Sequence, residues 1–263
     1  MIKEFNHISM NVQDIRKTLS FYTEFFGAVF VRGLYIPGGH TAGAYVQIGS
    51  NMVEFLSPLS PDGKVECGIT HIAFTTDNIE AEVYNLIAGG FKFDIMPRIA
   101  GSGSGKIAFL RDPNGASVEL VERAESFKRE WNSNDDVLGI DHASIYSADL
   151  KGAIEFYTKT LGFNMLRHVR DEGRKFDMVY LNHGINILQL LHFEEQNWDA
   201  PQMGHMGLLV KDTRGLAKKL SDAGYTVSDP KPLAVLNNGL VATVKDPNGI
   251  AVELIDRVSL FNV

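Results

Sequence analysis

Polar and apolar positions alternate with a period of two in short runs, and these runs are interrupted by stretches whose apolar residues recur every three or four. Phe5–Val12 alternates and predicts a strand. Asp14 follows as a candidate N-cap, and Ile15, Leu19, Tyr22 and Phe26 predict an amphipathic helix that Gly27 closes. Ala44–Ile48 and Met52–Leu56 predict a hairpin around Gly49, Ser50 and Asn51. A second round begins with a strand at Thr70–Thr76 and a helix from Asn78 to Ala88, ended by Gly89 and Gly90. Strands at Ile107–Leu110 and Ala116–Val121 flank the turn Asp112-Pro113-Asn114-Gly115, whose Pro and Gly set turn dihedrals. The plan then recurs. Leu150, Ile154, Tyr157 and Leu161 line a helix before Gly162, and Thr213–Ala223 predicts another before Gly224. The fold class is α+β, built from four β-α-β-β-β modules with mixed sheets.

The recurrence is also visible residue by residue. Ile8–Tyr22 resembles Ala143–Tyr157, and Asp112–Leu120 resembles Asp246–Leu254, at offsets of 135 (143 − 8) and 134 (246 − 112). Two tandem domains are expected, 1–124 and 137–263, joined by a polar linker at 125–136. Composition narrows the class without naming a chemistry. The chain of 263 residues is 44% hydrophobic and 22% charged, as in ordinary globular proteins. Its apolar runs are too short for a transmembrane helix, and Met1–Phe5 lacks the pattern of a signal peptide. A single cysteine, Cys67, fits a reducing, cytoplasmic setting. A net charge of −7 argues against a nucleic-acid partner. Neither a membrane nor a nucleic acid is expected as a partner, and a homo-oligomer stays open.

The alternation singles out eight residues. The strands that open each module carry His7, His71, His142 and His205, and those that close each module carry Glu54, Glu119, Gln189 and Glu253. Each stands opposite the apolar set of its strand, as His7 does to Ile8 and Met10, and so faces the concave side of a curved sheet. Two histidines with one or two carboxylates suit a divalent transition metal such as Mn, Fe, Ni, Co or Zn, with positions left open for substrate. A lone strand histidine is ordinarily a packed residue. Four coincident positions in each copy point instead to a metal site in at least one of them.

These residues resemble the vicinal oxygen chelate superfamily, which includes glyoxalase I, methylmalonyl-CoA epimerase, extradiol dioxygenases and bleomycin-resistance proteins. The resemblance rests on the paired modules, the Phe-Tyr pairs Phe21-Tyr22 and Phe156-Tyr157, the Asp-Pro-Asn-Gly turns and the spaced ligands. It implies metal ligation by His7, Glu54, His71 and Glu119 in the first copy, a set like that of bacterial glyoxalase I. In the second it implies His142, Gln189, His205 and Glu253, a set like that of the epimerase. It also implies a small oxo or hydroxy-oxo substrate whose adjacent oxygens chelate the ion, with proton transfer next to a carbonyl by an epimerase, isomerase or glyoxalase-type lyase. Glu54 and Glu119 are candidates for ligand or base, and Glu172 for an extra base, unless it is a solvated loop acid. Two carboxylates would neutralise the ion in the first copy, whereas Gln189 would leave the second more cationic. An extradiol Fe(II) dioxygenase is the alternative, disfavoured because Ile185-Asn186 and Val241-Ala242-Thr243 lack the additional His and the Tyr that such enzymes place near their ligands. A metal-free binding or resistance protein is disfavoured by the intact ligand set.

Further candidates are weaker. His40 is the loose counterpart of Glu172, and Gly101–Gly105 is a flexible loop or a lid over the first site. Arg98, Arg111 and Lys245 could meet a substrate carboxylate but read better as surface charges, and Trp131 and Trp198 as cover for a core or interface.

Overall fold

The computed structural model describes residues 2–36, 41–60, 62–124, 127–131, 136–195, 203–233 and 239–257. His40, Trp198 and parts of the expected linker lie outside these residues. The first copy contains β1 (Ile2–Asn11), α1 (Ile15–Phe26), β2 (Val29–Ile36), β3 (Thr41–Ile48), β4 (Asn51–Pro58), β5 (Gly68–Thr76), α2 (Ile79–Ala88), β6 (Phe93–Ile99), β7 (Lys106–Arg111) and β8 (Ser117–Glu122). The second contains β9 (Val137–Tyr146), α3 (Leu150–Glu155), β10 (Asn164–Asp171), β11 (Phe176–His183), β12 (Asn186–Phe193), β13 (Met203–Val210), α4 (Thr213–Asp222), β14 (Lys231–Pro232), β15 (Leu240–Lys245) and β16 (Ala251–Asp256). The strands form two eight-stranded mixed sheets, ordered β2-β3-β4-β1-β5-β8-β7-β6 and β10-β11-β12-β9-β13-β16-β15-β14. β5 runs parallel to β8, and β13 to β16.

Local chemistry explains the elements. Asp14 caps α1, its Oδ1 accepting from the backbone N–H of Arg16 and Lys17 at 3.0 and 3.1 Å. Phe21, Tyr22, Phe25 and Phe26 are buried along one face, each worth about 1.5–3 kcal/mol on leaving water. α3 departs from the expected regular helix. Phe156–Thr160 widens into a π turn, with Leu161 N–H reaching the Phe156 carbonyl at 3.1 Å. The Thr158 hydroxyl donates to the Ile154 carbonyl at 2.6 Å and so competes for an acceptor of the α-helical ladder.

Packing divides the chain into two compact units that do not coincide with the tandem copies. One comprises Met1–Ile8, Thr70–Ser126 and Ala143–Gly204, the other Ser9–Ile69, Phe127–His142 and His205–Val263. Each unit joins one module of the first copy to one of the second. In the first, the Tyr157 hydroxyl donates to Asp112 Oδ2 at 3.2 Å, Phe156 meets Phe91, and Asn114 Oδ1 accepts from Asp149 N–H at 2.7 Å. In the other, the Asp246 carboxylate acts on the buried Tyr22 hydroxyl and helps raise its pKa, Phe21 meets Tyr225 with ring centroids 4.7 Å apart, and Asn248 Nδ2 donates to Thr18 Oγ1 at 2.9 Å. The Phe-Tyr pairs and the Asp-Pro-Asn-Gly turns are thus reciprocal partners between copies. Among the described residues no helix is long and apolar enough to cross a membrane.

Candidate metal centres

Six of the eight alternation-derived residues gather into two clusters. His7 on β1, His71 on β5 and Glu119 on β8 are buried together, and Nε2 of each histidine stands 3.2 Å from the same Glu119 Oε2. His142 on β9, His205 on β13 and Glu253 on β16 form the second cluster. There the two Nε2 atoms are 3.0 Å apart and lie 3.8 and 3.3 Å from Glu253 Oε2. The parallel pairing of β5 with β8 and of β13 with β16 brings a histidine and a glutamate from different strands to one place.

Hydrogen bonding fixes how His7 presents itself. Its Nδ1 lies 2.9 Å from Asn6 Oδ1. The amide orientation follows from its other partners: Asn6 Nδ2 donates to Thr75 Oγ1 at 3.0 Å, and Arg123 donates to Oδ1 at 3.4 Å. An amide oxygen only accepts, so a neutral His7 carries its proton on Nδ1 and turns the Nε2 lone pair toward Glu119. Facing lone pairs require positive charge between them. Two ligands about 2.1 Å from one ion, at 90–109° to each other, lie about 3.0–3.4 Å apart. Most of the donor separations in both clusters fall in that range, and the donor set of two imidazoles and a carboxylate suits a divalent transition metal.

The surroundings act on the carboxylates in the same sense. Burial pushes Glu119 toward its neutral form, but His7 and His71 outweigh it and hold the group well below the ordinary carboxylate range. Glu253 is likewise lowered, with burial opposed by His205 and His142. Gly207 on β13 gives the His142 ring its room, since a Cβ there would lie 2.4 Å from Cε1.

Glu54, Gln189 and Glu172 are not drawn into the clusters in the same way. Glu54 is buried on β4, where its Oε2 accepts from the Ser9 hydroxyl at 2.8 Å. Gln189 on β12 donates from Nε2 to the Tyr180 hydroxyl at 3.1 Å, while its Oε1 is buried with no hydrogen-bond partner among the described residues. Glu172 is exposed between β10 and β11, beside an Arg170 guanidinium that also binds Asp177 and Glu194. The geometry thus favours the solvated-acid reading of Glu172. Gly101–Gly105 is the β6–β7 connection, closed by Ala100 N–H to the Gly105 carbonyl at 3.0 Å and held by Arg123 Nε to the Ser104 carbonyl at 3.2 Å. Arg111 pairs with Asp94 at 2.8 Å on the surface. Sequence reasoning passed over Asn6, Asp141, Arg123 and Arg257, which sit behind the histidines. Their signal was present, because the residue before the first histidine of each copy is polar (Asn6, Asp141) on a strand whose apolar set lies elsewhere.

Comparison with known proteins bears on the family and the fold. The family model described as Glyoxalase/Bleomycin resistance protein/Dioxygenase superfamily matches residues 4–120 and again 139–254. A lactoylglutathione lyase of Arabidopsis thaliana is 28% identical over 205 residues, which is 76% of this chain and 69% of the relative. Glyoxalase I of Saccharomyces cerevisiae is 24% identical over 304 residues, covering 95% of this chain and 91% of the relative. Among solved structures, the 2,3-dioxygenase LapB of a Pseudomonas species superposes with a TM-score of 0.74 at 17% identity, over 97% of this chain and 92% of that one. The Mn(II)-bound glyoxalase of Novosphingobium aromaticivorans gives 0.73 at 20% identity, over 98% of this chain and 83% of that one. These structural likenesses establish the fold.

Proposed function

The chain belongs to the Glyoxalase/Bleomycin resistance protein/Dioxygenase superfamily, and we propose that it is a divalent-metal-dependent enzyme that moves a proton next to a carbonyl of a small oxo compound. The observation that carries the reading is the pair of His-His-Glu clusters, the first buried and the second partly so, with donors spaced as ligands of one ion. When bound, the ion would hold two adjacent substrate oxygens and draw off the negative charge that develops as the proton leaves. The chain supplies the rest. Glu119 and Glu253, kept ionised by their histidines, provide anionic donors. Glu54 is offered as fourth ligand or base of the first copy and Gln189 as fourth ligand of the second, following the family resemblance. The lone Gln189 Oε1 suits that role. Within this class the relatives named as lactoylglutathione lyases favour the lyase over the epimerase or isomerase. A cytoplasmic setting belongs to the same proposal.

The dioxygenase reading rests on fold likeness alone. It is opposed by Thr243, which faces Glu253 across β15–β16 where no Tyr precedes the glutamate closely. The test combines metal analysis of the chain loaded in turn with Mn, Fe, Co, Ni and Zn with two assays: formation of lactoylglutathione from glutathione and its 2-oxoaldehyde, and oxygen uptake on a catechol. Bound metal with lyase turnover and no oxygen uptake is expected. His71→Ala and His205→Ala should each remove one metal equivalent. Absence of bound metal in the wild-type chain would overturn the proposal, and oxygen uptake with iron would replace it by the dioxygenase.

A further inference from the structure

The two clusters are held unequally. In the first, the far ring nitrogen of each histidine has a partner: His7 Nδ1 lies 2.9 Å from Asn6 Oδ1, and His71 Nδ1 lies 3.2 Å from Thr70 Oγ1. Asn6 is itself fixed, since its Nδ2 donates to Thr75 Oγ1 at 3.0 Å and Arg123 Nη1 donates to its Oδ1 at 3.4 Å. Both Nε2 atoms stand 3.2 Å from one oxygen of Glu119, whose side chain is 6% exposed. In the second copy the Asn6 position is Asp141 (141 − 6 = 135) and the Thr75 position is Leu209 (209 − 75 = 134). Asp141 turns to Arg257, which donates from Nε at 2.9 Å, and its Oδ1 stays 3.6 Å from His142 Nδ1, outside hydrogen-bond reach. That ring nitrogen is buried with no hydrogen-bond partner among the described residues. The distances from His142 and His205 to Glu253 are uneven, 3.8 and 3.3 Å, and the Glu253 side chain is 24% exposed.

We propose that Asn6 is the positioning residue of His7, and that its hydrogen bond makes the first cluster the tighter metal site, the one that fills first. This inference rests on the proposed metal function. An outer partner that takes the far N–H of a ligating histidine fixes the tautomer and the ring orientation before the ion arrives. Asn6 does this for His7: its oxygen accepts the Nδ1 proton, so the Nε2 lone pair already points at Glu119. Ligation then demands little reordering. In the second cluster no hydrogen bond among the described residues fixes the His142 tautomer from behind. The Nε2 atoms of His142 and His205 are 3.0 Å apart, so one ring can donate to the other, and an ion must displace that proton before it meets both lone pairs. Water also competes for Glu253 more than for Glu119, because Glu253 is the more exposed.

Calorimetric titration with Co(II) measures each site alone, the first in a His205→Ala chain and the second in a His71→Ala chain, while the visible bands of bound Co(II) report the ligand field. The first site should bind about 10- to 100-fold more tightly, the range for the effect of such outer partners. In the wild-type chain, the bands seen below one equivalent should be those of the His205→Ala chain. Asn6→Leu keeps the size of the side chain and removes the acceptor. It should weaken the first site about tenfold or more and shift its bands, and in the His71→Ala chain it should leave the second site unchanged. Asn6→Asp keeps an acceptor and should restore the affinity, which separates positioning from damage to the fold. The inference falls, and the metal function stands, if Co(II) binds the second site as tightly as the first or more so. It falls in the same way if Asn6→Leu stays within about threefold of its parent with unchanged bands, or if Asn6→Asp is as weak as Asn6→Leu. A wild-type chain that binds no metal overturns both.

Discussion

Tyr157→Phe isolates the bond that ties the π turn of one copy to the Asp112 turn of the other. Asp112 is buried, and its Oδ1 accepts from Asn114 N–H and Ala116 N–H at 2.8 Å each, while Oδ2 accepts the Tyr157 hydroxyl at 3.2 Å. The substitution removes only the last, and it leaves the ring and its packing in place. A hydrogen bond to a charged group contributes about 1.5–3 kcal/mol. The rather long 3.2 Å contact and the surviving backbone donors place the loss near the lower half of that range, about 2 kcal/mol. For a chain of this size that corresponds to a melting point lower by roughly 4–8 °C. Burial raises the pKa of Asp112, and the hydrogen bonds, Tyr157 among them, oppose the rise. Losing the hydroxyl raises it further. A carboxyl with a raised folded pKa keeps its proton where the unfolded chain has lost it, so stability is highest below the unfolded value, near 4, and falls as pH climbs through the folded one. The variant should therefore lose more stability than wild type between about pH 4.5 and 7.5, and its deficit should be larger at the upper end. Urea unfolding at both pH values checks this. A deficit below about 0.5 kcal/mol, the scatter of surface substitutions, or one that does not change with pH, would refute the assignment.

Glu119→Gln should abolish metal binding at the first cluster and leave the second filled, as read by metal analysis of the purified chain. Chelator treatment of the loaded wild-type chain should lower its melting point, because metal present at a hundred times its Kd adds about 2.7 kcal/mol; an unchanged melting point would mean that the ion does not bind the folded state preferentially. Gly207→Ala should displace the His142 ring, since the new Cβ would meet it at 2.4 Å. Its expected outcome is a loss of metal at the second cluster, measured by titration, with the first unaffected.

The strands that carry the site were legible because their apolar sets alternate cleanly, and because duplication printed the same polar positions twice. Where alternation is broken, reading failed. β2 and β6 end their sheets, carry register shifts at Phe30/Arg32 and at Ile95/Arg98, and expose Phe30, Met96 and Ile99. An edge strand with a bulge, and with Pro97 inside it, gives no period-two signal. That the His-His-Glu residues gather could be expected because two strand registers place them, whereas the partners behind the histidines depend on packing. Asp141 acquires meaning only when Arg257, 116 residues later, folds against it. The Phe-Tyr pairs read correctly as helix packing, but their partner turns belong to the other copy, and no local pattern connects Tyr157 to Asp112.

That reciprocal arrangement makes a claim about the isolated half. Residues 1–124 alone would expose Phe21, Phe25 and Tyr22, whose partners Tyr225 and Asp246 come from the second copy, together with Phe74, Phe91 and Asp112, which there meet Phe163, Phe156 and Tyr157. Such a fragment carries both halves of the missing contact. Asp112 and Asn114 correspond to Asp246 and Asn248, and Phe91 to Tyr225, each at an offset of 134 (246 − 112, 225 − 91). The Tyr22 face of one fragment can therefore receive the Asp112 turn of another, and the reverse, in a closed two-fold pair. The fragment should be a homodimer in light scattering after gel filtration, and Tyr22→Phe together with Asp112→Asn should weaken it. A folded monomer with native circular dichroism would show that each copy completes its own core and that the reciprocal pairs contribute little.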